Sequence, residues 1–331
     1  MNLTELGKIY SSGDAFTTKA ALLQSAYRWL GKFPIGKTSV KVFTGQIANG
    51  KKVYKTELKE YGHIVDKGEE INRNFFFEST WKYAHKRVDE KKSDETIKAD
   101  RLFNNLLSSM PLAFNLFHPL MELLKTNESA ATKIISALFP DYDVCKVNEI
   151  NIEFIPLPIT SYTNDKSAMD AVIFFTDSKG FKNIIAIEVK YTDTLGSNKA
   201  RENDLKYRAA TDTNYFTQEG LQHIEGGCTQ VYRNFLLTEK YRMVHHLANS
   251  YNVILAPKEN PSTQNEINSL KDYIDFNTCP TNKITKYNLE DFVLVITNNI
   301  PANLNNWIVW FQERYLDFNK IEPLFIELKQ K

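Results

Sequence analysis

The segment that decides the fold is MDAVIFFTDSKGFKNIIAIEVK, residues 169–190. It contains two nearly continuous apolar runs, 169–175 and 183–189, and the turn-forming residues DSKG lie between them at 177–180. Continuous apolar runs are typical of strands that are buried on both faces, and Asp, Ser and Gly are common in the turns that join antiparallel strands. The segment therefore predicts a central hairpin of two buried strands within a larger sheet.

The rest of the chain alternates predicted helices and strands. The stretch VNEINIEFIPLP, residues 147–158, alternates apolar and polar side chains, as a half-buried strand does. From about residue 117 the predicted order is helix, three strands, helix, strand, helix, strand, which favours an α/β fold with helices on both faces of a mixed sheet. The predicted buried residues of the first strand are Val147, Ile150, Ile152 and Phe154. The later predicted elements are a helix from Gln218 to about His246 that breaks or bends at Gly226-Gly227, a strand at Asn252–Ala256, a helix at Asn265–Phe276 and a strand at Asp291–Ile296.

The domain organisation predicted from this pattern has two parts. Residues 1–110 form a mainly helical N-terminal extension with a basic hairpin, and residues 111–331 form the α/β core. The composition, with 42% hydrophobic, 12% aromatic and 24% charged residues, is that of an ordinary globular protein. No apolar run approaches the ~20 residues that span a membrane, and the first residues lack the features of a signal peptide. We therefore expect a cytoplasmic protein with no membrane partner.

Cysteines and net charge exclude several kinds of site. The three cysteines, Cys145, Cys228 and Cys279, lie far apart without metal-ligand spacing, so neither disulfides nor structural zinc are expected. The net charge of +1 gives no overall field that attracts polyanions. Between residues 29 and 55, however, lysines are interleaved with aromatic residues and no acidic residue occurs. The candidate nucleic-acid-binding residues of this stretch are Lys37, Lys41, Lys51 and Lys52; a solvated basic hairpin is the alternative interpretation.

One pair of charged residues stands out at the end of the central hairpin. A glutamate followed two positions later by lysine occurs four times in the chain, but only Glu188 and Lys190 end a strand that is predicted to be buried. Alternate side chains of a strand share a face, so these two project together. Asp170 lies on the preceding strand, and the hairpin can place it beside Glu188. Two adjoining carboxylates repel each other unless a cation or a proton lies between them, and Mg²⁺ prefers such oxygen ligands.

These residue types suit the hydrolysis of a phosphodiester. A metal ion polarises the phosphoryl oxygen and supplies the attacking water, and a further cation balances the charge of the transition state. We predict that Asp170, Glu188 and Val189 hold the metal and that Lys190 orients the water or helps to deprotonate it. A surface salt bridge between Glu188 and Lys190 is the alternative, but it leaves Asp170 unexplained.

This arrangement resembles the signature of the PD-(D/E)XK nuclease superfamily. Asp170, the hairpin and the segment Ile187-Glu-Val-Lys190 match the motif, and the predicted core order matches over residues 117–256. The sequence departs from the motif in having Met169 where the superfamily name has proline, although many members lack that proline. A more specific resemblance is to an uncharacterised bacterial group of this superfamily. It rests on the segments LLQSAYRWLGKFPIG (22–36), LLSSMPLAFNLF (106–117) and QVYRNFLL (230–237).

The resemblance implies a restriction-endonuclease-like core and Mg²⁺-dependent hydrolysis of DNA, with Mn²⁺ as a substitute, in restriction or another defence role such as phage defence. It leaves RNA open as a substrate. Restriction enzymes often dimerise, so a homodimer is compatible with the resemblance, but no segment marks a dimer face. A non-catalytic module that binds nucleic acid with the same fold is the main alternative, followed by an enzyme of other phosphodiesters or a structural interaction protein.

Supporting residues are predicted around the same end of the sheet, each with a plainer alternative. Gln230 and Arg233 are three apart on a predicted helix, so they can share a face that reaches the metal site or a phosphate, or they simply make helix-surface contacts. Glu122 is the first candidate for a third carboxylate, with a solvated helical glutamate as the alternative, and Glu153 is the second. Asn115 is a candidate for binding phosphate, or it caps a local turn.

Overall fold

A computed structural model describes residues 1–48, 50–195, 204–227, 229–260 and 262–330 of the chain. The strands are β1 (Ile35–Ala48), β2 (Lys51–Val65), β3 (Val144–Phe154), β4 (Met169–Asp177), β5 (Lys182–Val189), β6 (Asn249–Ala256) and β7 (Ile284–Asn288). The helices are α1 (Leu3–Leu6), α2 (Ala15–Leu30), α3 (Glu78–Asp89), α4 (Ala99–Phe103), α5 (Ser109–Thr126), α6 (Glu128–Leu138), α7 (Asp204–Thr213), α8 (Gln218–Glu225), α9 (Gln230–Val244), α10 (Ser262–Lys271), α11 (Leu289–Asn299), α12 (Asn305–Tyr315) and α13 (Glu322–Gln330).

The central sheet is mixed, as the sequence predicted. Its strand order is β3-β4-β5-β6-β7. The first three strands pair antiparallel, whereas β5, β6 and β7 run parallel. The turn between β4 and β5 is held by Asp177, whose Oδ1 accepts hydrogen bonds from the backbone N–H groups of Lys179 and Phe181 at 3.0 and 2.9 Å. Gly180 in the same turn has a φ of +85°, a conformation that glycine adopts without strain.

Alternation along β5 directs its side chains to two different layers. Ile185, Ile187 and Val189 belong to the main core, which also contains apolar residues of α5, α6, α11 and α12. Ile184 and Ala186 point to the opposite face of the sheet. Helices α7, α8, α9 and α10 form a second apolar cluster with Ile254 of β6. Helices therefore cover both faces, and Glu188 and Lys190 share the face of Ile184 and Ala186.

Strands β1 and β2 form a separate antiparallel sheet, the basic hairpin. Its base is fixed to α2, because Arg28 donates from Nε to the carbonyl of Gly62 at 2.7 Å and from Nη1 to the carbonyl of Phe33 at 2.8 Å. Gly62 packs so closely on Leu6 and Ser25 that a side chain there would clash with both. Towards its tip the hairpin is largely exposed.

Two sequence predictions need correction or refinement. The strand predicted at Asp291–Ile296 is wrong, because these residues lie in α11, where Leu289, Phe292, Val293 and Ile296 are buried at helical spacing. The last strand is instead the short edge strand β7, just before that helix. The predicted helix from Gln218 to His246 is two helices, α8 and α9, with the break at the glycine pair.

The described residues include two of the three cysteines, and their helices can be compared with the requirements for crossing a membrane. Cys145 is an exposed and Cys279 a buried free thiol, and Cys228 lies outside the described residues. None of the helices in the described ranges combines the length and apolar character needed to cross a membrane.

Candidate active site

Asp170 and Glu188 lie on neighbouring strands at the same end of the central sheet. The ladder between β4 and β5 pairs Ala171 with Ile187, and the same register continued by one residue sets Asp170 opposite Glu188. Directly opposed residues of an antiparallel pair point to one face, with Cβ atoms roughly 4.5–5.5 Å apart. Asp170 also accepts a hydrogen bond at Oδ2 from the backbone N–H of Val189 at 2.7 Å. The two carboxylates therefore converge.

The Glu188 carboxylate is surrounded by three side-chain donors. Its Oε1 lies 2.5 Å from Nζ of Lys190 and accepts a hydrogen bond from Nε2 of Gln230 at 2.8 Å. Its Oε2 accepts from Nδ2 of Asn234 at 2.7 Å. Lys190 also donates to Oε1 of Gln230 at 3.4 Å. Helix α9 thus fixes the orientation of both charged residues through Gln230 and Asn234, which lie one turn apart.

Burial makes these charges interact strongly. Glu188 and Lys190 are only 6% and 7% exposed. Burial, followed by the negative charges of Glu188 and Glu153, raises the pKa of Asp170 well above its ordinary value. Burial disfavours the ammonium form of Lys190, but the charges of Glu188 and Asp170 outweigh this effect and raise the pKa of Lys190. Lys190 is therefore held as a cation, which suits charge stabilisation better than removal of a proton.

Glu153 brings a third carboxylate to the same place from β3. It is 4% exposed, and burial together with the charge of Glu188 raises the pKa of Glu153 to about 7. Its φ is +52°, an unfavourable backbone conformation for a residue other than glycine. Arg87 stabilises this part of β3 by donating from Nη2 to the Glu153 carbonyl at 2.9 Å. Such strain inside a strand is often found where a side chain is directed into a functional site.

These side chains line an open cleft of about 480 Å³, the catalytic cleft. Besides the carboxylates and Lys190, it is lined by the basic residues Lys98, Arg101, Lys166 and Arg233. Arg233 lies on α9, and its Nη1 is 3.7 Å from the Asp165 carboxylate. Asp165 also pairs with the buried Lys206 at 2.8 Å. The cleft therefore combines an acidic centre with a basic rim, as binding of a phosphodiester beside a cation would require.

The donor set suits a hard divalent cation. Glu153, Asp170 and Glu188 are buried carboxylates, and a single buried ammonium, that of Lys190, interacts with all three. Oxygen donors of this type are the ligands that Mg²⁺ and Mn²⁺ prefer. Within the described ranges, no group of three or more His, Cys, Asp or Glu side chains is arranged to hold a metal ion. The candidate ligands that the structure brings together are Asp170 and Glu188; Val189 contacts Asp170 through its backbone N–H, and its carbonyl stays a predicted ligand.

Other predicted site residues lie elsewhere. Glu122 is an exposed residue of α5 that pairs with Lys125 at 2.7 Å, so the structure does not bring this candidate third carboxylate to the cleft. Asn115 is buried in the core, where it donates to the carbonyl of Asn74 at 2.9 Å and to the Tyr315 hydroxyl at 3.1 Å. This structural role leaves it no access to a phosphate. The lysines Lys37, Lys41, Lys51 and Lys52 are exposed on the basic hairpin and do not line the catalytic cleft.

Sequence reasoning missed several residues of the cleft. Asn234 lies four residues after Gln230, and this helical spacing was a signal that it shares the face directed at Glu188. Arg101 and Asp193 form an ion pair at 3.6 Å across the rim, and Ser109 donates to Asp193 at 2.9 Å. Nothing in the sequence pattern indicated the ion pair of Arg101 with Asp193, because these two residues are 92 positions apart and lie outside the strands.

One of the comparisons with known proteins identifies the family of this chain. No curated protein and no solved structure matches the chain. A family model described as the PD-(D/E)XK nuclease superfamily matches residues 11–317, which is nearly the whole chain. The match includes the central hairpin, the helix α9 that contacts Glu188, and the basic hairpin. The chain therefore belongs to the PD-(D/E)XK nuclease superfamily.

Proposed function

We propose that this protein is a Mg²⁺-dependent nuclease that hydrolyses phosphodiester bonds of DNA, with Mn²⁺ as a substitute cation. The observation that carries the proposal is the convergence of Asp170, Glu188 and Lys190 in an open cleft at one end of the central sheet. The alternative of a surface salt bridge does not fit, since Glu188 and Lys190 are almost fully buried and a second carboxylate adjoins them.

The residues of the catalytic cleft have different roles in hydrolysis. Asp170, Glu188 and the Val189 carbonyl would hold the cation, which would supply positive charge beside the phosphoryl oxygen and lower the pKa of water. Lys190 donates hydrogen bonds to the water and to the oxygens that gain negative charge in the transition state. Gln230 keeps Lys190 and Glu188 at a fixed separation by contacting both. Glu153 adds negative charge beside the ligands, and this draws a cation into the cleft.

Arg233 is proposed to bind a phosphate next to the scissile bond. Its side chain lines the catalytic cleft, and its Nε is buried without a hydrogen-bond partner among the residues that the structure describes. A buried guanidinium nitrogen without a partner is unfavourable, and a phosphate oxygen would supply one. The four lysines of the basic hairpin are proposed to contact the DNA backbone further from the site, because they are exposed and carry positive charge.

The test is cleavage by the purified protein of supercoiled, linear and single-stranded DNA and of RNA, with Mg²⁺, with Mn²⁺ and with a chelator. We expect hydrolysis that needs the cation and that Asp170→Asn abolishes. Lys190→Met should lower the rate at least about a hundredfold, as loss of a group that stabilises transition-state charge does. Lys182→Met is the matched control, because Lys182 is an exposed lysine at the other end of β5.

Circular dichroism of each variant separates loss of chemistry from loss of the fold. Unchanged cleavage by folded Asp170→Asn protein would contradict the proposal. Binding of DNA that depends on salt, with no cleavage under any divalent ion, would instead favour a non-catalytic module. A role in restriction or phage defence is tested separately by comparing phage plating on cells that express the wild type or Asp170→Asn; equal plating would contradict that role.

A further inference from the structure

A second cleft of about 590 Å³ adjoins the catalytic cleft. The two clefts share the lining residues Arg101, Asp193 and Thr194, so they are continuous. The walls of the second cleft are formed by the segment before α2, by the base of the basic hairpin and by the residues that follow β5. It therefore forms a path from the predicted metal site towards the basic hairpin.

Aromatic rings form one wall of this second cleft. The rings of Tyr10 and Tyr61 meet edge to face with centroids 5.7 Å apart, and His63 stacks on Tyr61 at 5.6 Å. Both tyrosines are half-buried, so part of each ring faces the cleft. Bases in a duplex stack on one another, whereas unpaired bases have free faces that stack on aromatic side chains. The rings are thus suited to unpaired nucleotides.

His63 gives an independent indication that a ligand binds here. It lines the second cleft and is 4% exposed, yet its Nδ1 is buried and has no hydrogen-bond partner among the described residues. A buried polar atom without a partner is unfavourable, and a polar group of a bound molecule would satisfy it. Hydroxyl groups also line the cleft, for example those of Thr38, Ser39 and Ser108, and they can hydrogen-bond to sugar and phosphate oxygens.

The charged groups that line the second cleft, among the described residues, are one guanidinium, that of Arg101, and two carboxylates. Its two carboxylates already have partners, since Asp14 accepts from the backbone N–H of Thr17 at 2.7 Å and Asp193 lies 3.6 Å from Arg101. Arg101 is 42% exposed on its side chain and lies where the two clefts meet. It can therefore contact a phosphate that passes from one cleft to the other.

We propose that the second cleft binds an unpaired strand of nucleic acid next to the scissile phosphodiester, so that the enzyme acts on single strands or frayed ends in preference to intact duplex. The inference rests on the proposed function, because the catalytic cleft must hold the neighbouring phosphodiester. The occupant of the second cleft is therefore a strand whose bases are free to stack on the tyrosines.

Binding is measured by fluorescence anisotropy with labelled oligothymidine and with a blunt duplex of equal length, in chelator and at one fixed salt concentration. We expect the wild type to prefer the single strand. Tyr61→Ala and Tyr10→Ala should each weaken single-strand binding roughly tenfold and leave duplex binding unchanged. Tyr61→Phe retains the ring and should bind as the wild type does. Phe181→Ala, which removes an exposed ring from the far end of the central hairpin, is the control.

The two tyrosines lie on separate segments, so misfolding of one variant leaves the other as a test. Equal affinity for single strand and duplex, or wild-type binding by folded Tyr10→Ala and Tyr61→Ala, overturns the inference even if the protein cleaves DNA. Preferential single-strand binding that the tyrosine variants lose, in a protein that cleaves nothing, supports the inference about the cleft and counts against the proposed function alone.

Discussion

At the residue scale, the position of Glu188 depends on two amides from one helix. Gln230 and Asn234 donate to different oxygens of the same carboxylate, at 2.8 and 2.7 Å. Loss of a group that orients a metal ligand in this way typically lowers metal affinity or activity by about 10–100-fold. Of the two, only Gln230 also contacts Lys190.

This difference leads to a prediction for two substitutions. Gln230→Ala and Asn234→Ala should each weaken metal affinity or activity by about 10–100-fold while the protein stays folded. Gln230→Ala should have the larger effect on turnover, because it also frees Lys190. Titration of cleavage rate against Mg²⁺ concentration measures both effects, and Gln222→Ala, an exposed glutamine on α8, is the control. Wild-type Mg²⁺ dependence in both variants would contradict this account of α9.

The sequence predicts those site residues that lie close together along the chain and are related by a regular pattern. Asp170, Glu188 and Lys190 could be placed because strand alternation and a hairpin register relate them through one short segment. Glu153 was only the second choice for the third carboxylate, although strand alternation opposite to the buried Ile152 sets it on the face of Asp170 and Glu188. Its positive φ is a property of the folded chain and has no sequence signal.

His63 leads to a prediction about pH and stability. Burial lowers the pKa of His63 to about 4, whereas in the unfolded chain it is near 6.5. Between these values the unfolded state binds a proton that the folded state does not, so the free energy of unfolding falls as the pH falls. His63→Phe removes this loss, which amounts to about 3 kcal/mol between neutral pH and pH 4.

The measurement is urea unfolding of wild type and His63→Phe at several pH values. The difference between the two free energies of unfolding should change with pH in favour of the variant as the pH falls below 6.5. A pH-independent difference for His63→Phe would show that this histidine is not buried in its neutral form.

At the scale of secondary-structure elements, the two faces of the basic hairpin differ. Lys37, Lys41 and Phe43 alternate along β1 and so share one face, and Lys52 joins them because its Nζ lies 5.6 Å from the Phe43 ring. Thr38 and Val40, which line the second cleft, point to the other face, whereas Ser39, which also lines that cleft, shares the face of the lysines. These lysines line neither the second cleft nor the catalytic cleft, so they can contact DNA outside the site.

Removing these lysines should change how DNA binding depends on salt. Each phosphate contact contributes roughly −0.9 to the slope of log affinity against log salt concentration for a duplex. Lys41→Ala and Lys52→Ala together should therefore make the slope shallower by roughly 2 and weaken binding to all sequences alike. Anisotropy titrations over a range of salt concentrations measure the slope. Lys179→Ala, at the exposed turn between β4 and β5, should leave it unchanged.

The elements also differ in how well the sequence predicts them. The central hairpin was predicted correctly because turn chemistry and continuous apolar runs agree. The segment 291–296 was misassigned because Leu294 and Val295 fill the positions between the buried residues and hide the helical period. The edge strand β7 was missed because only its first residue is buried, so it has no apolar run.

At the scale of the whole molecule, the N-terminal and C-terminal parts share one core. Phe16 and Ala20 of α2 belong to the same apolar cluster as Ile187 of β5 and Phe311 of α12. The boundary predicted between residues 110 and 111 falls inside α5, which begins at Ser109. A division into an extension and a core stays a prediction, and the stability of the chain provides a way to test it.

Arg314 of α12 is suited to test whether the N-terminal and C-terminal parts of the chain form one core. It is fully buried, donates from Nη1 to the Asn74 carbonyl at 2.7 Å and from Nε to Gln24 at 3.2 Å, and stacks on Tyr27 with its guanidinium carbon 4.7 Å from the ring centroid. It thus links the last third of the chain to two segments of the first third. Arg314→Met removes the Arg314 donors from the buried side-chain oxygens of Gln24 and Asn74, while the Asn74 carbonyl keeps its hydrogen bond from Asn115, so the free energy of unfolding should fall by about 3 kcal/mol.

Because the core is shared, this loss should affect the whole chain at once. Urea unfolding followed by tryptophan fluorescence and by far-ultraviolet circular dichroism should give coincident transitions in the wild type, and Arg314→Met should shift both to lower urea without separating them. Arg208→Met, which alters an exposed arginine of α7, should shift neither. Two separate transitions, with only one sensitive to Arg314→Met, would instead support an N-terminal extension that folds apart from the nuclease core.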